Sequence, residues 1–394
     1  MAAYDITVNA ALEFDTTFAI VSSVISITTG RIMIAWPRSN TIFNVQCFNV
    51  NPTTKAVTAV GSPLNLGANY AYQGRMPSLV KIDSSNAVVI YATANTEMRA
   101  QLISVDGSGN CSANGSAVDV DAGSSNASAY AYLIDSTHVA YGGMFAGAAH
   151  AYWNTLNIDT ATPSITINTA VDIYPAGSAN GSPLLSLSSS KVIGLIADSD
   201  LDLRAIVASL DGSYNLSVTT SQEIMNNTSV YQRDVFLVDT SASPILGFTM
   251  HGNNANAQLR PISINTTTWV VSGYGTPTSF SYGGAFQQSG GYVKKIDSTH
   301  AIAWGPVSGD PTAWIITFDS GAGTFSVSSP VTIDSGGTLS TNNQGQLCQI
   351  SAGQYACTFA GGGNDGFVRI LDVELPPPPP SVFTPAPMPN FIAE

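Results

Sequence analysis

Apolar and polar positions recur in one unit along the chain: an apolar run, a short polar turn opened by Asp, Ser or Thr, and a second apolar run. The clearest copies are Leu79 to Tyr91, Ala131 to Tyr141 and Val293 to Trp304, and weaker ones start at Val24, Leu184, Val235 and Leu347. Anchored on the turn residue, the copies fall at Thr28, Asp83, Asp135, Ser188, Asp239, Asp297 and Ser351, spaced by 55, 52, 53, 51, 58 and 54 residues. Each reads as a β-hairpin, because two β-rich runs flank a turn whose side chain can accept from the next backbone amides. The residue before the anchor is always aliphatic, from Ile27 to Ile350, and the residue four before it is always apolar, from Val24 to Leu347. Offsets of one and four point to opposite faces of a strand. These strands are therefore expected to be buried on both faces, as in a small sheet sandwiched between two neighbours.

A third strand follows each hairpin, as at Arg99 to Val105 and Trp314 to Phe318. A fourth, alternating strand follows at Ser164 to Tyr174, Leu216 to Met225 and Phe325 to Ile333. Four strands per repeat and seven repeats predict an all-β, seven-bladed β-propeller, with an open β-solenoid or two sandwiches as the alternatives. The last repeat has a third strand at Phe367 to Glu374 and then meets Pro376 to Pro380, which cannot continue a ladder. Tyr4 to Phe14 carries the missing fourth-strand pattern. Residues 1–14 are thus expected to complete the last blade, closing a ring over residues 1–375 and leaving 376–394 as a proline-rich tail.

Composition changes this picture little but narrows the partners. Only 10% of the 394 residues are charged, against about 25% in an average globular chain, so the surface is built from Ser, Thr, Asn, Gly and Ala. A net charge of −13 with 13 Lys plus Arg supplies no cationic footprint for phosphates, which argues against DNA, RNA and anionic membranes. The first residues lack a basic leader region, and no apolar run reaches membrane-spanning length, so neither a signal peptide nor a transmembrane helix is expected.

Glu13, Asp119, Asp172 and Glu223 share one repeated place in the fourth strand. One acid per blade is expected to be structural or solvent-facing, because glycoside hydrolysis needs two carboxylates within roughly 10 Å. No nucleophile elbow, phosphate-binding loop or metalloprotease helix occurs, so no enzyme activity and no cofactor are expected. His138 and His300 occupy the same turn position on distant blades, and His150 and His251 have no ligand-spaced companion, so solvated turn histidines are expected in place of a metal site. Asp198, Asp200 and Asp202 alternate like the start of a calcium loop but lack its Gly and distal Glu, and read as an exposed acidic turn or a weak Ca²⁺ site. Cys348 and Cys357 are symmetric about the Ser351 to Gln354 turn. They are expected to face each other, as small core residues or as a cross-strand disulfide.

The segments leading into the first strands carry Tyr70, Tyr72 and Arg75; Tyr130; Tyr174 and Asn180; Tyr231 and Arg233; Phe286 and Gln287; and Asn342, Asn343 and Gln344. In a propeller these gather on one face near the channel. Aromatic rings stack on sugar faces while amides exchange hydrogen bonds with hydroxyls, so this set suits a neutral polyhydroxylated ligand, or else the tyrosines plug the channel.

The repeated Ile134 to His138 and Ile296 to His300 turn, with strands like Ala100 to Gly109, resembles degenerate propeller repeats of bacteriophage tail and fibre proteins, and also repeats of bacterial surface proteins. The resemblance implies a non-enzymatic virion component that adheres or decorates, with a host-surface glycan as ligand and the virion as its location. The alternative is a bacterial surface or secreted lectin-like propeller, and a propeller glycoside hydrolase is least favoured. Beyond the prolines, Val382, Phe383, Met388, Phe391 and Ile392 crowd a 14-residue tail, which is expected to be an assembly peptide docking on other virion or surface proteins, or a plain disordered end.

Overall fold

The computed structural model describes the chain apart from residues 1–3, 18–20, 40–41, 68–76, 94–97, 122–129, 146–149, 175–179, 198–201, 226–231, 253–255, 282–291, 308, 336–344, 362–364 and 377–394. The proline-rich tail and its apolar residues Phe383, Met388, Phe391 and Ile392 thus lie outside the described residues. The described residues form seven antiparallel sheets and no helix. The first strands of blades 1 to 7 are Ser23–Thr28, Ser78–Lys81, Tyr130–Asp135, Asn180–Ser188, Gln232–Leu237, Tyr292–Lys295 and Leu347–Ser351, and each touches the next in a closed ring. From each of the first six the chain steps outward through a second, a third and an outer strand, and from the seventh through a second and a third.

The N-terminal segment completes blade 7. Ile6–Val8 pairs with the third strand Gly366–Val373 in the register Ile6 with Val373 and Val8 with Leu371, and Leu12–Asp15 continues along it with Leu12 opposite Val368. Asp15 then ties this blade to the next, because its buried carboxylate accepts from Trp36 Nε1 of blade 1 at 2.7 Å. Tyr4, Ile6 and Val8 pack into the junction with blade 6, and Leu12 and Phe14 into the junction with blade 1.

Burial on both faces is met in the first strands at Val24 and Ile27, Leu79 and Ile82, Leu184 and Leu187, and Leu347 and Ile350, whereas Tyr130–Asp135 is half-buried along its whole length. The second strand Gln354–Ala360 is buried throughout, and the third strands Met98–Val105 and Leu203–Leu210 show the same burial sequence position by position. The outer strand Leu216–Met225 is mostly exposed or half-buried, with only Leu216 and Ile224 buried. Seven apolar clusters sit at the seven blade junctions. One joins Ile32, Ile34 and Trp36 of blade 1 to Ile350, Val368 and Ile370 of blade 7. The core is therefore a ring of sheet-on-sheet contacts with no single centre.

Two expected outer strands are each broken in two. Ser164 to Tyr174 divides into Ser164–Ile167 and Val171–Tyr174, and Phe325 to Ile333 into Thr324–Val327 and Val331–Thr332. At the first break Asn168 turns its side-chain amide to Thr155 Oγ1 at 2.8 Å; at the second, Ser328 Oγ accepts from the Ile315 amide at 2.9 Å, before Pro330, which has no N–H to give. Side chains thus replace ladder bonds at the solvent edge.

The cysteine expectation needs a larger correction. An irregularity between Gln349 and Ser351 shifts the register, so Cys357 faces Leu347 and Cys348 faces Ala356. Cys348 belongs to the blade 7–1 junction and Cys357 to the blade 6–7 junction, on opposite faces of the sheet. Both are buried free thiols. A one-residue slip changes the face of a side chain, which turn symmetry alone does not reveal.

On the hairpin-turn face, the residue opening a second strand is covered by the next blade's third-to-outer turn. Arg31 donates to the Ser108 carbonyl at 3.2 Å, Lys191 Nζ lies 5.5 Å from the Trp269 ring centre, and Lys55 of blade 1 reaches Asp372 of blade 7 at 3.5 Å. The same lock corrects the histidines: His138 stacks on Tyr214 of blade 4 with centroids 3.4 Å apart, and His300 lies against Tyr4 of blade 7 at 3.8 Å. Neither is a solvated turn residue. Tyr214 and Trp269 hold this turn position at φ 60°, a left-handed conformation costing about 1–2 kcal/mol that their ring contacts offset.

Candidate binding face and central channel

Each first strand is the inner edge of its sheet, so its outward N–H groups need partners from elsewhere. In four blades, side chains from the preceding blade supply them. Gln346 Oε1 accepts from the Val24 amide at 3.2 Å and from Ser23 Oγ at 2.6 Å; Ser23 Oγ accepts from the Leu79 amide at 3.0 Å; Ser78 Oγ accepts from the Ala131 amide at 3.0 Å; Asp234 Oδ2 accepts from the Val293 amide at 2.7 Å. The acceptors all stand five residues before a turn anchor and the amide donors four before one. This chain of bonds was missed in the sequence, although Ser, Ser, Asp and Gln at one repeat position is the signal that could have revealed it. Pro183 holds that position in blade 4 and has no acceptor to offer, and Asp234 Oδ1 caps the Val235 amide itself at 2.8 Å.

Beside Asp234 a cavity of about 720 Å³ opens between the first strands of blades 3 to 6, with Tyr132, Ser186, Phe236 and Lys294 among its lining. Loss of hydration pushes the Asp234 carboxyl up to about 6, against the pull of Lys294 and of the two amides it accepts from. A buried acid titrating near neutrality invites a catalytic reading. Its oxygens are instead spent on backbone amides, in the role that neutral Ser and Gln fill in other blades, so we assign it to the ring. A second cavity, of about 520 Å³, is lined by Ser243, Ser263, Asn265, Thr266 and Thr267 at the turn face of blade 5.

The candidate binding residues divide in two. Tyr130 opens the first strand of blade 3, half-buried and opposite Gly142; Tyr174 ends the outer strand of that blade; Asn180 opens the first strand of blade 4; Arg233 lies near the start of the first strand of blade 5, opposite His251. Strand direction places all four at one end of the ring, away from the hairpin turns, and three stand on consecutive first strands. Tyr70, Tyr72, Arg75, Tyr231, Phe286, Gln287, Asn342, Asn343 and Gln344 lie outside the described residues, as do Asp198 and Asp200. Asp202, expected in an exposed acidic turn, is buried just before the third strand of blade 4.

Two of the four repeated outer-strand acids take arginine partners. Asp119 accepts from Arg99 Nε at 2.6 Å and Glu223 from Arg204 at 3.3 Å, each pair in register across the outer ladder of its own blade. His251 is buried with its Nε2 3.0 Å from Gln258 Oε1.

At the turn face the two histidine sites are twins. Asp135 Oδ2 accepts from Tyr214 OH at 2.6 Å and Asp297 Oδ2 from Tyr4 OH at 2.7 Å, while each carboxylate also contacts its own His Nδ1. Burial works to raise both carboxyls. The bonds from Tyr, Thr and His outweigh it, and both are held well below the usual carboxylate range. Burial and the bond to Asp297 push the Tyr4 phenol up to about 12.

No protein-family model and no curated protein matches the chain. Solved structures do. The BP39L lectin from Burkholderia pseudomallei superposes with a TM-score of 0.60 at 9% identity, covering 89% of this chain and 95% of its own. A 6-phosphogluconolactonase candidate from Bacteroides uniformis gives 0.59 at 9% identity over 79% and 85%, and a Lactobacillus plantarum protein 0.58 at 8% over 79% and 84%. At such identities the likeness establishes the fold alone.

Proposed function

We propose that this propeller is a non-catalytic, lectin-like adhesion module that binds neutral glycan at the end of the ring where the first strands begin. The observation that carries this reading is the placement of Tyr130, Asn180 and Arg233 at that end on three consecutive first strands, with Tyr174 at the same end of the outer strand of blade 3. Aromatic rings, amides and guanidinium groups are the side-chain types that match a sugar's apolar face and its ring of hydroxyls. The fold shared with the Burkholderia lectin supports it, and so does a surface poor in charge. Asp119 and Glu223, engaged by arginines on separate blades, do not form the carboxylate pair of a glycoside hydrolase.

A glycan array with the full chain tests the proposal. Binding to neutral glycans is expected, with Tyr130→Ala and Arg233→Ala each weakening it by about tenfold, the loss of one good contact. No binding by the folded protein, or turnover of a bound glycan, would refute it. We place the module outside the cell, on a bacterial surface or a virion. Mass spectrometry of purified particles against envelope and culture medium separates these locations.

A further inference from the structure

The closest pair of thiols is one that sequence spacing does not suggest. Cys47 lies in the third strand of blade 1, opposite Met33, and Cys111 opens the outer strand of blade 2, opposite Val105. Their sulfurs are 3.4 Å apart across the blade junction. Cys47 is fully buried in that junction's core, and Cys111 packs against the same core while half-buried. Next to Cys111, the Arg31 guanidinium lies so close to Gly109 that a Cβ there would meet its Cζ at 2.6 Å.

We propose that Cys47 and Cys111 are a thiol pair that closes to an inter-blade disulfide when the protein meets an oxidised low-molecular-weight disulfide. Closure to about 2.0 Å asks for a sulfur displacement of about 1.4 Å, available to a side chain at a strand's first residue. The two thiols have different tasks. Contact between the two sulfurs, aided by Arg31, lowers the half-buried Cys111 thiol against the effect of burial and raises the fully buried Cys47. Cys111 thiolate attacks one sulfur of the small disulfide RSSR, whose S–S bond breaks to release RS⁻. Cys47 then gives its proton to that thiolate and attacks the Cys111 sulfur, expelling the second RS⁻. The protein loses two electrons and RSSR is reduced to two thiols, so the exchange balances. The bond would span 64 residues and join two sheets that share no ladder.

The native full chain, treated with oxidised glutathione, alkylated and digested without reduction, is expected to yield a Cys47–Cys111 linked peptide lacking two hydrogens. The oxidised protein should melt roughly 5 °C above the reduced form, as expected for a loop of this size in a large protein. Cys47→Ser should trap glutathione on Cys111, whereas Cys111→Ser should not react while folded. A stable glutathione adduct on Cys111 of the wild-type protein, a link from Cys47 to another cysteine, or identical melting of both forms would overturn the proposal. The wild-type peptide map decides the matter even if a variant folds poorly.

Discussion

Replacing Tyr214 by Phe keeps the ring on His138 and removes only the hydroxyl that donates to Asp135 Oδ2. A hydrogen bond to a charged group is worth about 1.5–3 kcal/mol when shielded. The Asp135 side chain is 36% exposed, so solvent screening reduces that to about 1 kcal/mol. Tyr4→Phe at the twin site should cost about the same, and the double variant about 2 kcal/mol, because the junctions share no partner. Spread over nearly 400 residues at about 2.1 cal/mol/K each, this lowers Tm by only about 2–3 °C, so guanidinium unfolding at several pH values is the sharper assay. The sign follows from the depressed carboxyls of Asp135 and Asp297. Their contribution is complete above the unfolded value of about 3.9 and is lost as pH falls below it. The gap between wild type and double variant should therefore be constant from about pH 5 to 8 and shrink below about pH 4. A gap absent at neutral pH, or undiminished at pH 3, would show that the hydroxyl bonds do not lock the blades.

At the alkaline end the raised Tyr4 phenol acts in the opposite sense: its stabilisation is complete below the unfolded value of about 10 and lost as pH climbs toward about 12, so Tyr4→Phe should flatten the stability profile there. The raised Asp234 carboxyl makes the wild type lose stability between about pH 4 and its folded value of about 6; Asp234→Asn should remove that slope in pH-dependent unfolding. Gly194→Ala places a Cβ 2.5 Å from Trp153 Cζ2 and 2.9 Å from Leu184 Cδ2, and about 1–3 kcal/mol of destabilisation should appear in denaturant unfolding. Deleting residues 1–14 bares the Gly366–Val373 edge, and calorimetry and light scattering should show a lower Tm and self-association.

The seven repeats and the ring closure were legible in the chain, because burial at the blade junctions imposes an aliphatic residue at Ile27 and Ile82 whatever else varies. The segment Tyr4 to Phe14 announced its place by repeating a pattern that the last repeat lacked. Contacts between repeats were not legible. That His138 is capped by Tyr214, 76 residues away, depends on the angle at which blade 4 meets blade 3, and that angle comes from packing. Pairing of Cys47 with Cys111, and separation of Cys348 from Cys357, depend on register and junction geometry, where one residue of slip reverses a face. Asp234 reads in the sequence as one acid among many. Only the closed ring, by removing its water and offering it the Val293 amide, makes it a structural acceptor. Sequence periodicity reports which side chains leave water, whereas the identity of their neighbours is decided when the sheets meet.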